Sequence, residues 1–294
     1  MTWQVGSARD GHTRVSDPAL SVVVPTRDRP GALERCLGAL ARQTAPSLEV
    51  VVVDDASRDP GAVRAAAARA CPAAHVVRGP GRGPAAARNL GVRTARGTTV
   101  CFTDDDCRPE PDWAARLAAG CDGGGAAGTT LADPTAGRCA AAAQLLTHVL
   151  QVGSLRPDGA CLGFAPTCNL ACATELARAL PFDESFPLAA GEDRDWCARL
   201  GQAGVRLSFV PAAVVVHGPQ LGLGGLLRQQ RRYGRGAVRH RQAGGDVAGV
   251  AYYAGLARAC ARAGARVTAL VLLAEAAVAV GAAAELAGRP RSAR

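Results

Sequence analysis

Three short apolar runs in the first third of the chain each break off at a polar cluster, with helix-like spacers between them. LSVVVP (20–25) runs into Thr26-Arg27-Asp28, LEVVVV (48–53) into Asp54-Asp55, and TTVCFT (98–103) into Asp104-Asp105-Asp106. Val-rich runs of this length, stopped by Pro or Asp, read as strands buried on both faces. After the first, Leu33, Cys36, Leu37 and Leu40 fall at i, i+3, i+4 and i+7, one face of a helix. Further helices are expected near 60–71 and 84–96, with a short strand at 75–77 between them. This alternation predicts a parallel sheet with right-handed crossovers. Ligands of such sheets sit beyond the carboxyl ends of the strands, so the polar residues there are binding candidates by position.

The rest of the chain is less regular. At 294 residues it suits one large domain or two small ones. Residues 1–19 are polar, lack an apolar leader run and read as a loose arm. The stretch 120–185 is rich in Gly, Ala and Cys, with helices expected at 138–151 and 173–179. A helix at 192–203 precedes two strand-like runs, VRLSFV (205–210) and AVVVH (213–217). From 222 the character turns to Arg-rich helix, then Ala-rich helix to 288. The organisation expected is an α/β unit over 20–220 and a helical region over 221–294.

All 34 basic residues are Arg and the net charge is +9, which favours anionic partners such as nucleotides or phospholipid surfaces. Aromatics are only 4%, and no basic surface is interleaved with rings for stacking bases, so no nucleic-acid partner is expected. The 11 cysteines contain no C-x-x-C pair and read as small core residues in a reducing cytoplasm. Cys168 and Cys172 stand at helical spacing.

Six constellations carry chemistry. Asp104, Asp105 and Asp106 repel one another unless a cation or donor sits among them. Hard oxygen ligands suit Mg2+ or Mn2+ bridging to a pyrophosphate. In an extended segment Asp104 and Asp106 would face one side. Asp54-Asp55 offers either an acceptor for a base or ribose or the cap of the next helix, with Ser57 or Asp59 as rival caps. GPGRGPAAARNLG (79–91) makes a Gly loop into a helix N-terminus, with Arg88 one turn in. GEDRDW (191–196) opens a helix: Glu192 and Asp193 suit the macrodipole, Asp195 and Arg199 an i,i+4 pair, and Asp193 a general base. His217 ends a strand as either a structural imidazole or a metal ligand. In LLRQQRRYGRGAVRHR (226–241), Arg228, Arg231 or Arg232, Arg235 and Arg239 form one stripe, either a solvated face or a grip on phosphates or anionic lipid.

In order, SVVVPTRDRP (21–30), VVVDDAS (51–57), AARNLGVRTARG (86–97), FTDDDC (102–107), FDESF (182–186), GEDRDWCARLGQAG (191–204) and VPAAVVVH (210–217) resemble the landmarks of the family 2 glycosyltransferases. The resemblance covers roughly residues 20–217. It implies the GT-A fold, a Rossmann-like, mostly parallel sheet flanked by helices, here with a helical C-terminal extension. It implies an inverting, metal-dependent enzyme moving a sugar from a UDP, GDP or dTDP donor to a hydroxyl of a lipid-linked saccharide, a cell-envelope glycan or a secondary metabolite. By position, Pro25, Thr26, Arg27, Asp55, Arg88, Asp104 and Asp105 would line the nucleotide-sugar pocket, and Asn169 would lie near the donor sugar or acceptor. Asp106, with Asp104 and in some relatives His217, would hold Mn2+ or Mg2+. Asp193 would be the catalytic base, with Glu192 beside it. Leu180-Pro181 stands where the family usually has Gly, which puts the acceptor-side loop in doubt.

Residues 267–287 are apolar, but Glu275 at their centre disfavours spanning by about 2.5–3.5 kcal/mol. A packed or interfacial helix is expected there, with residues 226–241 against an anionic membrane surface and the protein peripheral at its cytoplasmic face. The alternative from another class is a catalytically silent binding protein of the same fold that uses its basic tail for membrane or nucleic acid. A sugar nucleotidyltransferase would need a Gly-rich loop directly after the first strand, where PTRDRP stands instead.

Overall fold

The computed structural model describes residues 19–122, 124–186, 190–242 and 249–288, so the arm expected at 1–19 lies outside it except for Ala19. The first half alternates as expected: β1 (Leu20–Thr26), α1 (Pro30–Leu40), β2 (Leu48–Asp54), α2 (Pro60–Ala70), β3 (His75–Arg78), α3 (Pro84–Thr94) and β4 (Thr99–Phe102). β2 and β4 flank β1, and β3 lies outside β2, all in parallel. Period-two alternation decides which helix each strand residue meets. Val22, Val24, Val50 and Val52 pack with Leu33, Leu37 and Leu40 of α1 and Val63 of α2. Val23, Val51 and Val53 pack with Ala85, Ala87 and Val92 of α3 on the other face. The Val runs are therefore continuous because both faces of the sheet are covered.

The second half continues through β5 (Cys107–Pro109), α4 (Trp113–Gly120), β6 (Gly125–Ala132), α5 (Gly137–Gly153), β7 (Cys161–Leu162) and β8 (Leu170–Ala173). It then runs through α6 (Thr174–Ala179), α7 (Glu192–Gln202), β9 (Leu207–His217), α8 (Leu223–Gln242), α9 (Val250–Ala263) and α10 (Ala265–Ala287). The sheet order is β3-β2-β1-β4-β8-β6-β9-β5, with β7 also on β9. β8 runs antiparallel to β4 and β6, β6 runs parallel to β9, and β5 and β7 run antiparallel to β9. The parallel order predicted from the alternation thus holds for β1–β4 and gives way to a mixed sheet beyond.

Two expectations are corrected. The runs at 205–210 and 213–217 are one strand, β9, whose register shifts opposite Gly128 and Thr129, where Pro211 removes a ladder donor. Cys168 and Cys172 share no helix: Cys168 sits in a 3-10 turn at Thr167–Asn169 and Cys172 in β8. At the C-terminal end, α8 and α10 cross backbone to backbone. A Cβ at Gly234 would fall on the Val278 carbonyl, and one at Gly281 on the Arg231 carbonyl. Leu256 of α9 and Val271 of α10 join Leu146 and Val149 of α5 and Leu226 of α8 in one apolar cluster.

Candidate active site

The carboxyl ends of β1, β2 and β4 open on one cleft, and the polar clusters that end the three apolar runs meet there. Asp55 follows β2. Its two carboxylate oxygens accept the backbone N–H groups of Gly81 (2.8 Å) and Gly83 (2.9 Å), so it shapes the glycine loop that leads into α3. Arg27, just past β1 and half exposed, lies 3.9 Å from Asp55 at the cleft rim. Pro25 and Thr26 are buried at the end of β1. The rival cap readings resolve cleanly: Asp59 caps α2 through the Ala62 N–H, while Asp54 accepts from the Ser57 N–H and from Arg78.

The acidic triplet forms a turn between β4 and β5 rather than an extended segment, so the alternation expected for it fails. Asp104 turns to Arg88 at 3.0 Å. Asp105 is fully buried and does not reach the cleft. It accepts from the Thr26 hydroxyl at 2.6 Å and lies 2.6 Å from Arg29. Burial raises the Asp105 carboxyl, with Arg29 opposing. Asp106 is held at 2.9 Å by the same Arg29 and faces His217 Nε2 at 3.4 Å. Burial alone would raise Asp106, but His217 and Arg29 outweigh it and bring it down.

His217 closes β9 opposite Cys107 of β5, which puts both side chains on one face of the sheet beside Asp106. Its Nδ1 is 2.9 Å from Gln144 Oε1. The amide of Gln144 is fixed by its donation to the Thr130 carbonyl at 3.0 Å, so Oε1 must be the acceptor and Nδ1 carries the hydrogen. That leaves the Nε2 lone pair of the neutral ring toward Asp106. Burial lowers the imidazolium, yet Asp106 outweighs it and holds His217 up to about 9. The Asp106 oxygen suits a hard cation such as Mn2+ or Mg2+, and this nitrogen, once the ring has lost its proton, suits Mn2+ better than Mg2+. Cys107 joins the cluster, but burial lifts its thiol well above the usual range, so it is a poor ligand for a hard cation.

One buried arginine joins the two acidic motifs. Arg88, 3% exposed on α3, donates to Asp104 at the end of β4 and to Glu192 at the start of α7, each at 3.0 Å. It does not look out on the cleft, which corrects the nucleotide contact expected of it. Glu192 spends its second oxygen on the Ala190 N–H at 2.8 Å and is likewise a structural carboxylate. Gly191 starts α7 with φ +96°, a conformation that favours glycine, and α8 packs on it through Gly236. Asp193 comes next. Burial pushes its carboxyl up to about 7, assisted by the charge of Glu192, while Arg88 and the Arg194 N–H pull the other way. Asp195 and Arg199 make the i,i+4 pair at 2.8 Å. Asn169 is corrected outright. It is fully buried, accepting from Trp113 Nε1 and donating to the Thr129 and Ala213 carbonyls where the register of β6 and β9 shifts.

Three residues of the site went unread in the sequence. Arg29 lies in SVVVPTRDRP (21–30), but no local pattern shows that it crosses to the Asp105-Asp106 turn. Gln144 carries no local signal. Tyr233 of α8 is close enough to Asp193, Glu192 and Asp104 that desolvation and their charges raise its phenol well above the ordinary range.

A mixed sheet whose parallel half ends in an acidic turn, with a second acidic segment opening a helix across the cleft, defines a glycosyltransferase of the GT-A class. Residues 21–134 match the sequence model of Glycosyl transferase family 2, and the chain is similar to nucleotide-sugar glycosyltransferases. Glycosyltransferase AglE of Haloferax volcanii is 28% identical over 233 residues, 75% of this chain and 73% of that protein. The pre-mycofactocin glycosyltransferase of Mycobacterium tuberculosis is 28% identical over 242 residues, 75% of this chain and 48% of that protein, so the chain spans about half its length. Among solved structures, mannosyltransferase PcManGT from Pyrobaculum calidifontis, in complex with GDP-Man and Mn2+, superposes with a TM-score of 0.58 at 25% identity. That superposition covers 92% of this chain and 76% of the other. S. aureus TarS 1-349 in complex with UDP shares the fold, with a TM-score of 0.54 at 18% identity over 93% of each chain.

Proposed function

We propose that the chain is an inverting, metal-dependent transferase that moves a sugar from a UDP, GDP or dTDP donor to a hydroxyl acceptor. The observation that carries this reading is the Arg88 bridge, which sets the β4 acidic turn and the Asp193 segment in one cleft. Asp55, Arg27 and the 79–83 loop wall the nucleotide side. Asp104 stands toward the ribose. Asp106 and His217 would hold Mn2+ or Mg2+. When bound, that ion offsets the charge of the departing diphosphate. Arg29, already on Asp105 and Asp106, favours the charged form of both and helps to hold Asp106 ionised.

Asp193 takes the proton of the acceptor hydroxyl. The acceptor oxygen forms a bond to the anomeric carbon as the bond to the diphosphate breaks on the opposite face, which inverts the configuration. A carboxyl near 7 is matched to this task, since general bases work best close to the operating pH. The acceptor is a lipid-linked saccharide, a cell-envelope glycan or a secondary metabolite. The 11 free cysteines, nine of them buried, suit a reducing compartment.

The test is a thermal-shift panel of UDP, GDP and dTDP with and without Mn2+. One diphosphate should raise Tm only with the metal, and Asp106→Asn should abolish that dependence. A metal-independent shift, or full transfer activity in a folded Asp193→Asn chain, would overturn the assignments.

A further inference from the structure

The basic stripe of α8 and the free face of α10 remain outside the catalytic site. Arg228, Arg231, Arg232 and Arg235 line one groove of about 750 Å³ whose other wall is Val280, Gly281 and Ala284 of α10. Among the described residues none of these four arginines makes an ion pair or side-chain hydrogen bond, whereas Arg239 on the same stripe is paired with Glu285 at 3.0 Å. Four like charges without counter-ions along one helix repel one another and call for an anion.

The neighbouring surface is apolar. α10 is 23 residues long, and its exposed side carries Leu272 (65% exposed), Leu273, Val280 and Leu286 (62%), with alanines between them. Its two acidic residues are satisfied inward: Glu275 accepts from the Tyr252 hydroxyl at 2.9 Å, and Glu285 pairs with Arg239. The uncharged outer face therefore runs from Ala269 to Ala284. The opposite side of α10 is committed to α8, α5 and α9, which suits a helix that lies on a bilayer rather than across it.

We infer that the α8–α10 surface is a membrane-docking site for anionic lipid, with lipid phosphates in the arginine groove and the outer leucines of α10 among the acyl chains. Charge complementarity selects this occupant. A second copy docked symmetrically would set the same arginine row against itself. α8 also carries the geometry onward. Its inner side places Gly236 on the Ala190 and Gly191 backbone at the start of the Asp193 segment, and the groove reaches Gln220, three residues past His217. Docking by this face sets the mouth of the cleft beside the bilayer, where a lipid-borne acceptor would present its hydroxyl. The inference concerns the surface and stands apart from the catalytic reading.

Flotation of the full chain with vesicles tests it, using phosphatidylcholine alone and phosphatidylcholine mixed with phosphatidylglycerol. The chain should partition to the mixed vesicles and not to the neutral ones, and added salt should release it. The triple change Arg228→Gln, Arg231→Gln, Arg235→Gln should weaken partitioning on the order of a hundredfold, about fivefold for each arginine. Leu272→Ser with Leu273→Ser should weaken it independently. Both variants should keep the wild-type Tm and nucleotide response, which separates lost docking from lost folding or lost catalysis. Equal partitioning to neutral and anionic vesicles, an unweakened triple variant, or dimerisation through Leu272 and Leu273 without vesicle binding would each overturn the inference.

Discussion

Asp193, the base of the proposed reaction, works in its ionised form, and burying that charge carries a cost in folding. Its carboxyl stands near 7 in the folded chain against an ordinary 3.8, so folding takes up a proton between those values. The stability that Asp193 allows is full below about 4 and is lost as pH rises toward 7. Asp193→Asn should therefore melt higher than wild type at about pH 8, with the difference vanishing near pH 4; thermal melts across that range check it. Activity should move the opposite way, with kcat/KM rising through about pH 7 as the base ionises. A profile that stays flat from about pH 5 to 9 would remove Asp193 from the role. Arg88 makes a different prediction. Arg88→Met would leave Asp104 and Glu192 facing a buried gap without their shared cation and should cost about 3–5 kcal/mol in urea unfolding. Lysine would not restore it, because a point charge cannot bond to both carboxylates in the planar geometry of the guanidinium.

The strands and helices differ in how they tolerate change. β9 bends where Pro211 interrupts the ladder, and Asn169 ties the bend to β6 and to Trp113. Gly128 sits inside this junction, where a Cβ would fall on the Ala213 carbonyl and lie 2.8 Å from the Asn169 amide atoms. Gly128→Ala should lower stability by more than about 3 kcal/mol, as seen in the denaturation midpoint, because neither partner is a flexible chain end. The α8–α10 crossing is more local. Gly281→Val should push the helices apart and speed amide exchange across α8 and α10 while leaving β1–β4 protected, since the parallel half of the sheet has its own core. Uniformly faster exchange throughout would mean that the C-terminal helices are integral to the fold.

Assembled, the cleft draws on six elements: β1, β2, β4, α3, α7 and β9. A matching nucleoside diphosphate with Mn2+ at a hundred times its Kd should add about 2.7 kcal/mol of stability, enough to read in a melt. The elements from 20 to 103 were open to reading because each Val run has a single stable use, a strand covered on both faces, and because each ends in polar residues that a buried strand cannot carry further. β6 escaped notice because Gly-Ala-Ala-Gly-Thr-Thr has no β-branched run long enough to announce a strand; it becomes one only between β8 and β9. Composition and local pattern were enough to set the parallel α/β half, the position of the acidic turn at a strand end, the acidic start of α7 and the arginine stripe. These depend on hydrophobic period and helix polarity, which act over a few residues. Which way each carboxylate faces was settled by contacts between residues far apart in the chain. Arg29 crosses to Asp106, Arg88 to Glu192, Gln144 to His217 and Asn169 to Ala213, and no local rule encodes such pairings. Burial then divided the roles, turning Asp105, Arg88, Glu192 and Asn169 into scaffold and leaving Asp193, Asp106 and His217 at the cleft, because a buried polar group must spend its bonds on the protein and only a partly solvated one keeps them for a ligand.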